Sequence, residues 1–294
     1  MNIGERIREL RVSKLMTQSE LAGNQITRNM LSCIENGSAN PSLSTILYIA
    51  GKLNVPAGFL LAEEGDEIVY RKMSNLPNIK RAYSERDLWG CRSLCISTCP
   101  DPDDEICLLL ANCDVGIAIE EFWNGKLRSA CRFFDEALRY TEKTIYPTET
   151  IEAEARIYFR YMERISHTLY SDMLDEEKTM QICSTSAFAS YLGAIEALDE
   201  ENNEIVESFL KFADPDSFFF SHIHIRSMMM QKDFKSAQKA LLHLLNAETP
   251  LNKIELYNVL CELEICCREI DDFKGAYNYA NDKLTLLEQL LSEI

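Results

Sequence analysis

The segment TQSELAGNQITRNMLSCIENGSANPS, residues 17–42, constrains the fold more than any other part of this chain. Thr17 and Glu20 have the spacing of a capping box, in which each side chain caps the backbone amide of the other, so a helix is predicted to begin here. Gly23 tolerates the positive φ of a tight turn, and Thr27 is a second N-cap residue before an apolar run. The segment therefore predicts two short helices joined by a tight turn.

These residues resemble the lambda-repressor/Xre family of helix-turn-helix domains, whose motifs TQxELA, IENG and NPS recur here in order over roughly residues 1–62. The resemblance implies that the second short helix enters the major groove of DNA. It places the following side chains at the DNA, the last two near phosphates: Gln18, Arg28, Asn29, Ser32, Cys33, Asn36 and Asn40. Arginine pairs with guanine and asparagine with adenine, so the side-chain chemistry agrees. The resemblance also implies a structural ion pair between Arg11 and Glu35.

Charge divides the chain into two unlike parts. Residues 1–65 hold six basic and six acidic residues, so the whole net charge of −17 lies after residue 65. Neutralisation of phosphates supplies most non-specific DNA affinity, so a neutral domain is expected to bind DNA weakly as a monomer and usefully as a dimer on two half-sites. The acidic part is not expected to bind DNA. The alternative is a small helical domain that has lost DNA binding.

Composition and cysteine usage indicate a cytoplasmic globular protein. Hydrophobic residues make up 46% of the 294 positions, but no apolar run is long enough for a membrane span or a signal peptide. Eleven cysteines, an odd number, predict reduced and buried thiols. Cys91, Cys95 and Cys99 would line one helix face, and packing explains them better than a metal or redox site. We expect no metal and no cofactor.

From residue 79 onward the sequence predicts paired helices. Three segments are alike, NGKLRSACRFFDEAL, QKDFKSAQKALLHLL and IDDFKGAYNYANDKL, and prolines such as Pro77 and Pro147 fall between apolar segments. Ala237 and Ala276 are 39 residues apart in the numbering. The segments resemble tetratricopeptide repeats. The predicted fold is thus all-α, with a helix-turn-helix domain at 1–65, a linker at 66–78 and an α-solenoid of tetratricopeptide-like pairs at 79–294.

The combination of these two domains resembles the peptide-pheromone-responsive regulators of the Rgg, PlcR and PrgX group. The resemblance implies a repeat domain that dimerises and binds a short signalling peptide, often through asparagine side chains. Carrying the repeat pattern onto this chain gives these groove-facing candidates: Asn112, Phe122, His222, Arg226, Met229, Asn258 and Arg268. Asn112 and Asn258 occupy the same repeat position, while Arg226 and Arg268 would capture a peptide carboxylate. Helix capping or core packing is the alternative role for each candidate.

Two function classes remain open from the sequence. The first is a peptide-sensing transcription regulator, and the second is a regulator controlled by a protein partner, of antirepressor or toxin type, on the repeat domain. No phosphate-binding loop, dinucleotide fingerprint or zinc-protease motif is present in the sequence, so we expect no enzyme. The leucine-rich end from Leu284 to Ile294 has more apolar residues than one buried face requires, which predicts a two-fold homodimer through the repeat domain. The acidic repeat domain favours a neutral or basic peptide.

Overall fold

The computed structural model describes residues 2–62, 67–166 and 186–292, and all regular secondary structure in these ranges is α-helical. This confirms the predicted all-α class. The chain divides into two compact units, residues 1–102 and 103–294. The helices of the first unit are α1 (Ile3–Ser13), α2 (Gln18–Ala22), α3 (Arg28–Glu35), α4 (Leu43–Leu53), α5 (Ala57–Leu61), α6 (Glu67–Ser84) and α7 (Leu88–Thr98). Those of the second are α8 (Asp104–Trp123), α9 (Leu127–Thr141), α10 (Glu149–Ile165), α11 (Ala187–Asp199), α12 (Asn203–Phe212), α13 (Phe218–Met230), α14 (Phe234–Leu245), α15 (Lys253–Glu269) and α16 (Phe273–Ser292).

Helices α1 to α5 pack around one apolar core. Its buried members are Ile7, Leu21, Ala22, Leu31, Ile34, Ile46, Ile49, Ala50, Leu53 and Leu60. The predicted capping box is present, because the Glu20 amide donates to Thr17 Oγ1 and the Thr17 amide donates to Glu20 Oε2. Thr27 caps α3, as predicted. A Cβ on Gly4 would lie 2.0 Å from the Ile34 carbonyl oxygen, so only glycine lets α1 approach the end of α3 this closely.

The segment for which a linker is predicted, residues 66–78, overlaps α6. Pro77 lies inside this helix, so the expectation that it separates two segments was wrong. A proline within a helix removes one backbone hydrogen bond but does not always end the helix. Helices α6 and α7 also belong to the first compact unit, whose boundary falls at residue 102.

Five helical hairpins share one turn. The residue two positions before the second helix has positive φ in each: Arg86 (59°), Gly125 (76°), Glu201 (59°), Lys232 (62°) and Asp271 (64°). The next amide donates to the carbonyl five residues earlier, as from Asp87 to Ala82 and from Asp233 to Met228. This bond is typical of a Schellman turn. Arg86 and Gly125 are 39 residues apart, as are Lys232 and Asp271, which matches the predicted repeat spacing. The hairpin α6–α7 therefore has the same turn as the hairpins of the second unit.

The three similar sequence segments form the second helices α9, α14 and α16. In the first two, the small residues Ala130 and Ala237 are fully buried, as close helix packing requires. In α16 the equivalent Ala276 is only half-buried, and the preceding Phe273 is 66% exposed. Since α16 is the last described helix, no further described hairpin covers its outer face.

The second unit closes on itself, because its last hairpin contacts its first. A Cβ on Gly125, in the α8–α9 turn, would lie 2.6 Å from Lys253 Cδ and 3.0 Å from Leu290 Cδ2. Helices α8, α10, α11, α13 and α15 consequently direct aromatic and polar side chains toward one another. Side chains of the protein itself, such as Phe122 and Tyr161, therefore occupy part of the groove predicted for the solenoid.

The cysteines follow the predicted pattern of packing. Cys91, Cys95 and Cys99 are buried, and among the described cysteines only Cys33 is exposed and Cys261 half-exposed. Burial, together with the neighbouring Cys91, raises the pKa of the Cys95 thiol to about 12. This group therefore stays protonated at neutral pH. Over the described ranges, no helix combines the length and apolar character that a bilayer span requires.

Candidate DNA-binding and ligand-binding sites

Helix α3 presents a polar face to solvent. Arg28, Asn29 and Cys33 are exposed and Ser32 is half-buried, while Leu31 and Ile34 on the opposite face enter the core. The four polar or thiol side chains lie at positions 1, 2, 5 and 6 of an eight-residue helix, which places them on one side. Arginine and asparagine at the N-terminal end of such a helix have the donors and acceptors that read guanine and adenine in the major groove.

The position of α3 relative to α1 and α2 is fixed by a buried carboxylate. Glu35, only 4% exposed, accepts hydrogen bonds from Arg11 Nε at 2.7 Å and Arg11 Nη2 at 3.0 Å. Gln18 Nε2 donates to the same carboxylate at 2.9 Å. Burial raises the pKa of Glu35, but the hydrogen bonds from Arg11 and Gln18 outweigh it and lower that pKa below its ordinary value. The expected Arg11–Glu35 pair is thus confirmed. The Glu35 carboxylate also holds Gln18 beside α3.

Asn36 and Asn40 lie in the segment between α3 and α4. Asn36 is the C-cap residue of α3, and both side chains are exposed. They flank Gly37, whose φ of 72° requires a residue that tolerates the left-handed region. Their exposure at the end of α3 leaves both amides accessible to a phosphate backbone.

In the second unit, three predicted ligand residues meet in a network that includes two tyrosines. We refer to Tyr161, Tyr191, His222 and Asn258 as the Tyr–His–Asn cluster. Asn258 Nδ2 donates to the hydroxyls of Tyr161 and Tyr191, and the Tyr191 hydroxyl lies 2.8 Å from His222 Nδ1. Arg226 borders this cluster through Glu262, which its Nε approaches to 3.3 Å. These contacts connect α10, α11, α13 and α15.

Burial sets the protonation states of this network. Tyr161, Tyr191 and His222 are each 2% exposed or less. Burial, reinforced by Arg226, lowers the pKa of His222 to about 3, so the imidazole is neutral at pH 7. Burial also raises the pKa of both tyrosines and of Glu262. His222 Nε2 makes no hydrogen bond within the described residues, and Glu262 Oε1 lies 3.8 Å away from it.

Phe122 lies in the core rather than at an accessible surface. It is fully buried, and its ring packs edge-to-face against Tyr158, Tyr161 and Phe188 at centroid distances of 4.9, 5.7 and 5.6 Å. Phe122 is buried because closure of the second unit brings α8, α10 and α11 together. Any effect of Phe122 on a ligand in this form of the domain is therefore indirect.

The other three predicted ligand residues lie apart from the Tyr–His–Asn cluster. The Asn112 amide donates to the Leu108 carbonyl of its own helix at 2.8 Å. Met229 packs against the apolar core formed by α13, α14 and α15. Arg268 is exposed near the end of α15. Asn112 and Asn258 thus occupy the same repeat position but donate to different partners.

Arginines on α10 form ion pairs with carboxylates of α11. The sequence-based prediction of ligand residues did not include these arginines. Arg160 Nε pairs with Glu196 Oε1 at 2.6 Å, and Arg164 Nη2 pairs with Asp199 Oδ2 at 2.7 Å. Arg226 Nη2 contacts the other oxygen of Asp199 at 2.8 Å. The signal was present in the sequence, since residues 156, 160 and 164 are all arginine at a spacing of four, which places them along one helix face.

A cavity of about 910 Å³ lies beside the arginines of α10. It is formed by α10, α11, α12 and the start of α13, and apolar side chains such as Ile157, Leu192 and Phe209 line it. Arg160 and Glu196 also belong to its lining. A concave apolar site with a few charged groups has the general character of a ligand pocket.

Comparison with known proteins identifies the first domain. Residues 7–60 match the family model described as Helix-turn-helix. An immunity repressor protein of Bacillus phage phi105 is 37% identical over 65 residues, which cover 22% of this chain and 45% of that protein. The match thus spans less than half of the length of this curated relative.

Two solved structures align along nearly the whole chain. One is PlcR of Bacillus thuringiensis in complex with the peptide PapR7 and DNA, with 14% identity, 98% of this chain and 95% of that chain covered, and a TM-score of 0.25. The other is ComR of S. thermophilus in complex with DNA and its signalling peptide ComS, with 14% identity, coverage of 97% and 99%, and a TM-score of 0.23. Both TM-scores are too low to establish a shared fold. The family match, the two caps and the Arg11–Glu35 pair together identify residues 7–60 as a helix-turn-helix domain.

Proposed function

We propose that this chain is a cytoplasmic, sequence-specific DNA-binding transcription regulator whose helical second unit binds a short signalling peptide and dimerises. The observation that carries the DNA part is the exposed polar face of α3, which Glu35 holds in place through Arg11 and Gln18. Arg28, Asn29, Ser32 and Cys33 would contact base edges. Gln18, Asn36 and Asn40 would contact the backbone or adjacent bases.

The DNA part is tested by Arg28→Ala. A bidentate contact from arginine to guanine contributes about 1 to 3 kcal/mol, so this variant is expected to lose that affinity and to relax specificity at one operator position. Operators are first selected from a random duplex pool with the wild-type chain, and dissociation constants are then measured at fixed salt. Arg71→Ala, an exposed arginine on α6, is the control. Unchanged affinity and an unchanged selected sequence in Arg28→Ala would rule out this docking.

The peptide part is supported by the chemistry of the second unit. Asn258 and Arg226 belong to one network with the buried His222, and helices α10, α11 and α13 of that network also line a mostly apolar cavity. The apolar lining suits a peptide with apolar side chains. Four of the predicted ligand residues lie outside this network, so we propose no direct ligand contact for them: Asn112, Phe122, Met229 and Arg268. The acidic excess after residue 65 disfavours acidic peptides.

The dimer is supported by the outer face of α16. Phe273, Tyr277 and Leu284 are 66%, 73% and 56% exposed, and their spacing of four and seven residues places them on one side of the helix. Leu286 and Leu290 point the other way and are buried within the unit. An exposed apolar stripe of this kind typically marks a protein–protein contact, and we assign this one to a second copy of the chain. The two copies would give the neutral DNA-binding domains two half-sites.

We expect the full chain to sediment as a dimer at micromolar concentration. Tyr277→Glu, which places a charge in the stripe, is expected to weaken self-association at least about tenfold, since an unpaired charge at an apolar contact loses its hydration. Gln289→Glu makes the same change of charge on a different exposed face of α16 and is expected to have no effect. A wild-type chain that is monomeric both free and on its selected DNA would refute the dimer.

A further inference from the structure

Two arginines from different helices hold one carboxylate at the surface of the second unit. Arg164 on α10 and Arg226 on α13 each donate to a different oxygen of Asp199, at 2.7 and 2.8 Å. We call these three residues the Asp199 clamp. The Asp199 side chain is 41% exposed and that of Arg164 is 36% exposed, so solvent and ligands reach the pair from outside. Two guanidinium groups around one carboxylate form a geometry that recognises anions of this shape.

Arg226 has a second carboxylate partner besides Asp199. Arg226 Nε lies 3.3 Å from Glu262, a largely buried carboxylate behind it. One helical turn before Arg164, Arg160 pairs with Glu196 at 2.6 Å and aligns α10 with α11. The contact with Glu262 would keep Arg226 in position if the Asp199 carboxylate moved away, and the Arg160–Glu196 pair would keep α10 beside α11. The Arg226 side of the clamp is therefore preorganised for a carboxylate.

The position of Asp199 at a helix end is unfavourable for a carboxylate that pairs with Arg164 and Arg226. It is the last residue of α11, where the exposed carbonyls of the helix end carry a partial negative charge. A carboxylate at this end is destabilised by the helix dipole, and it is followed by two more acidic residues, Glu200 and Glu201. The two arginines compensate for this repulsion. A carboxylate from outside that does not share the helix end would experience less of it.

We propose that Arg164 and Arg226 form a receptor for the C-terminal carboxylate of a short peptide, which displaces Asp199 from the clamp. This inference rests on the proposed peptide-binding function and names the group that the site reads. The terminal carboxylate is the favoured source, because the acidic unit disfavours peptides with acidic side chains and every unmodified peptide still carries this one anion. The nearby apolar cavity, lined in part by Arg160 one turn earlier on α10, accommodates the apolar side chains.

The test compares two forms of one peptide library. Random heptapeptides without Asp or Glu are prepared as free acids and as C-terminal amides, incubated with the full chain, and quantified by mass spectrometry after gel filtration. The wild-type chain is expected to retain free acids at least about tenfold better than amides, since a charge-assisted pair is lost on amidation. A third library, amidated but with one Glu per peptide, distinguishes a side-chain carboxylate from the terminal one.

Three variants locate the effect at the clamp. Arg164→Gln is expected to abolish most of the preference for free acids. Asp199→Asn, which removes the competing carboxylate, is expected to raise retention of free acids about tenfold. Arg156→Gln is the matched control, because Arg156 lies on the same helix and pairs with Glu152 of that helix instead of the clamp. Arg226 is left unchanged, since its removal would strand the largely buried Glu262.

Each outcome separates the clamp from the proposed function. Equal retention of acids and amides, or no gain in Asp199→Asn, overturns the clamp and leaves peptide binding standing. Retention of Glu-containing amides as strong as that of free acids overturns the assignment to the peptide terminus. If the chain retains no peptide from any library, the peptide-sensing function and the clamp both fall.

Discussion

Replacement of Glu35 by alanine is expected to destabilise the helix-turn-helix domain by about 3 to 5 kcal/mol, because breaking a buried ion pair leaves an uncompensated charge. Arg11 would lose its two bonds to this carboxylate and Gln18 would lose one. Hydrogen exchange of the α1 and α3 amides in the full chain reports the free energy of opening of this domain. The second unit provides an internal reference in the same experiment.

Glu20→Ala is the control for Glu35→Ala. Glu20 is an exposed glutamate that caps α2, and removal of a helix cap typically costs about 1 kcal/mol. A loss in Glu35→Ala no larger than that in Glu20→Ala would contradict the role given to the buried pair.

The same carboxylate predicts a pH dependence. The pKa of Glu35 is lower in the folded domain than its ordinary value, so its contribution is fully present above the unfolded glutamate pKa of about 4.3. It is lost as the pH falls through the lower folded-state pKa. The Glu35→Ala domain should lack this part of the acid sensitivity.

Phe122→Ala is expected to destabilise the second unit by about 3 to 5 kcal/mol, the usual cost of truncating a fully buried phenylalanine. The ring has no exposed surface and contacts aromatic rings from α10 and α11. Denaturant unfolding of the full chain in a Trp89→Phe background, in which Trp123 beside Phe122 is the remaining tryptophan, measures this loss by fluorescence. A ligand-contacting residue at an accessible surface would give little loss of stability.

Phe212→Ala is the matched control for Phe122→Ala. Phe212 is 78% exposed at the end of α12, and surface substitutions usually change stability by less than about 0.5 kcal/mol. Similar losses in the two variants would contradict the core position of Phe122.

The first domain could be predicted from sequence because its signals are local. A capping box, an N-cap and a turn glycine act within a few residues, so Thr17, Glu20, Gly23 and Thr27 specify α2, the turn and the start of α3. The repeat spacing was also predictable, because the hairpin turn recurs. The positive φ of this turn was not predictable, since Arg86, Glu201 and Lys232 are residues that rarely adopt that conformation.

The ligand-binding candidates were harder to predict because their contacts join distant parts of the chain. Asn258 and Tyr161 are 97 positions apart, and they meet only because the second unit closes on itself. The repeat pattern assumed an open groove and therefore placed Phe122 at a surface. It gave Asn112 and Asn258 one role, although the first donates within its own helix. The Asp199 clamp likewise depends on the packing of α10, α11 and α13, which the repeat pattern does not specify.

The affinity of the full chain for its selected operator, measured with and without the free-acid heptapeptide pool, tests the central claim most directly. A regulator whose second unit senses a peptide should show a change in dissociation constant of about fivefold or more, the usual range for coupling between two sites. Fluorescence anisotropy at fixed salt measures it, with the amidated pool as control. An operator affinity that stays the same when the free-acid pool is bound would contradict the account.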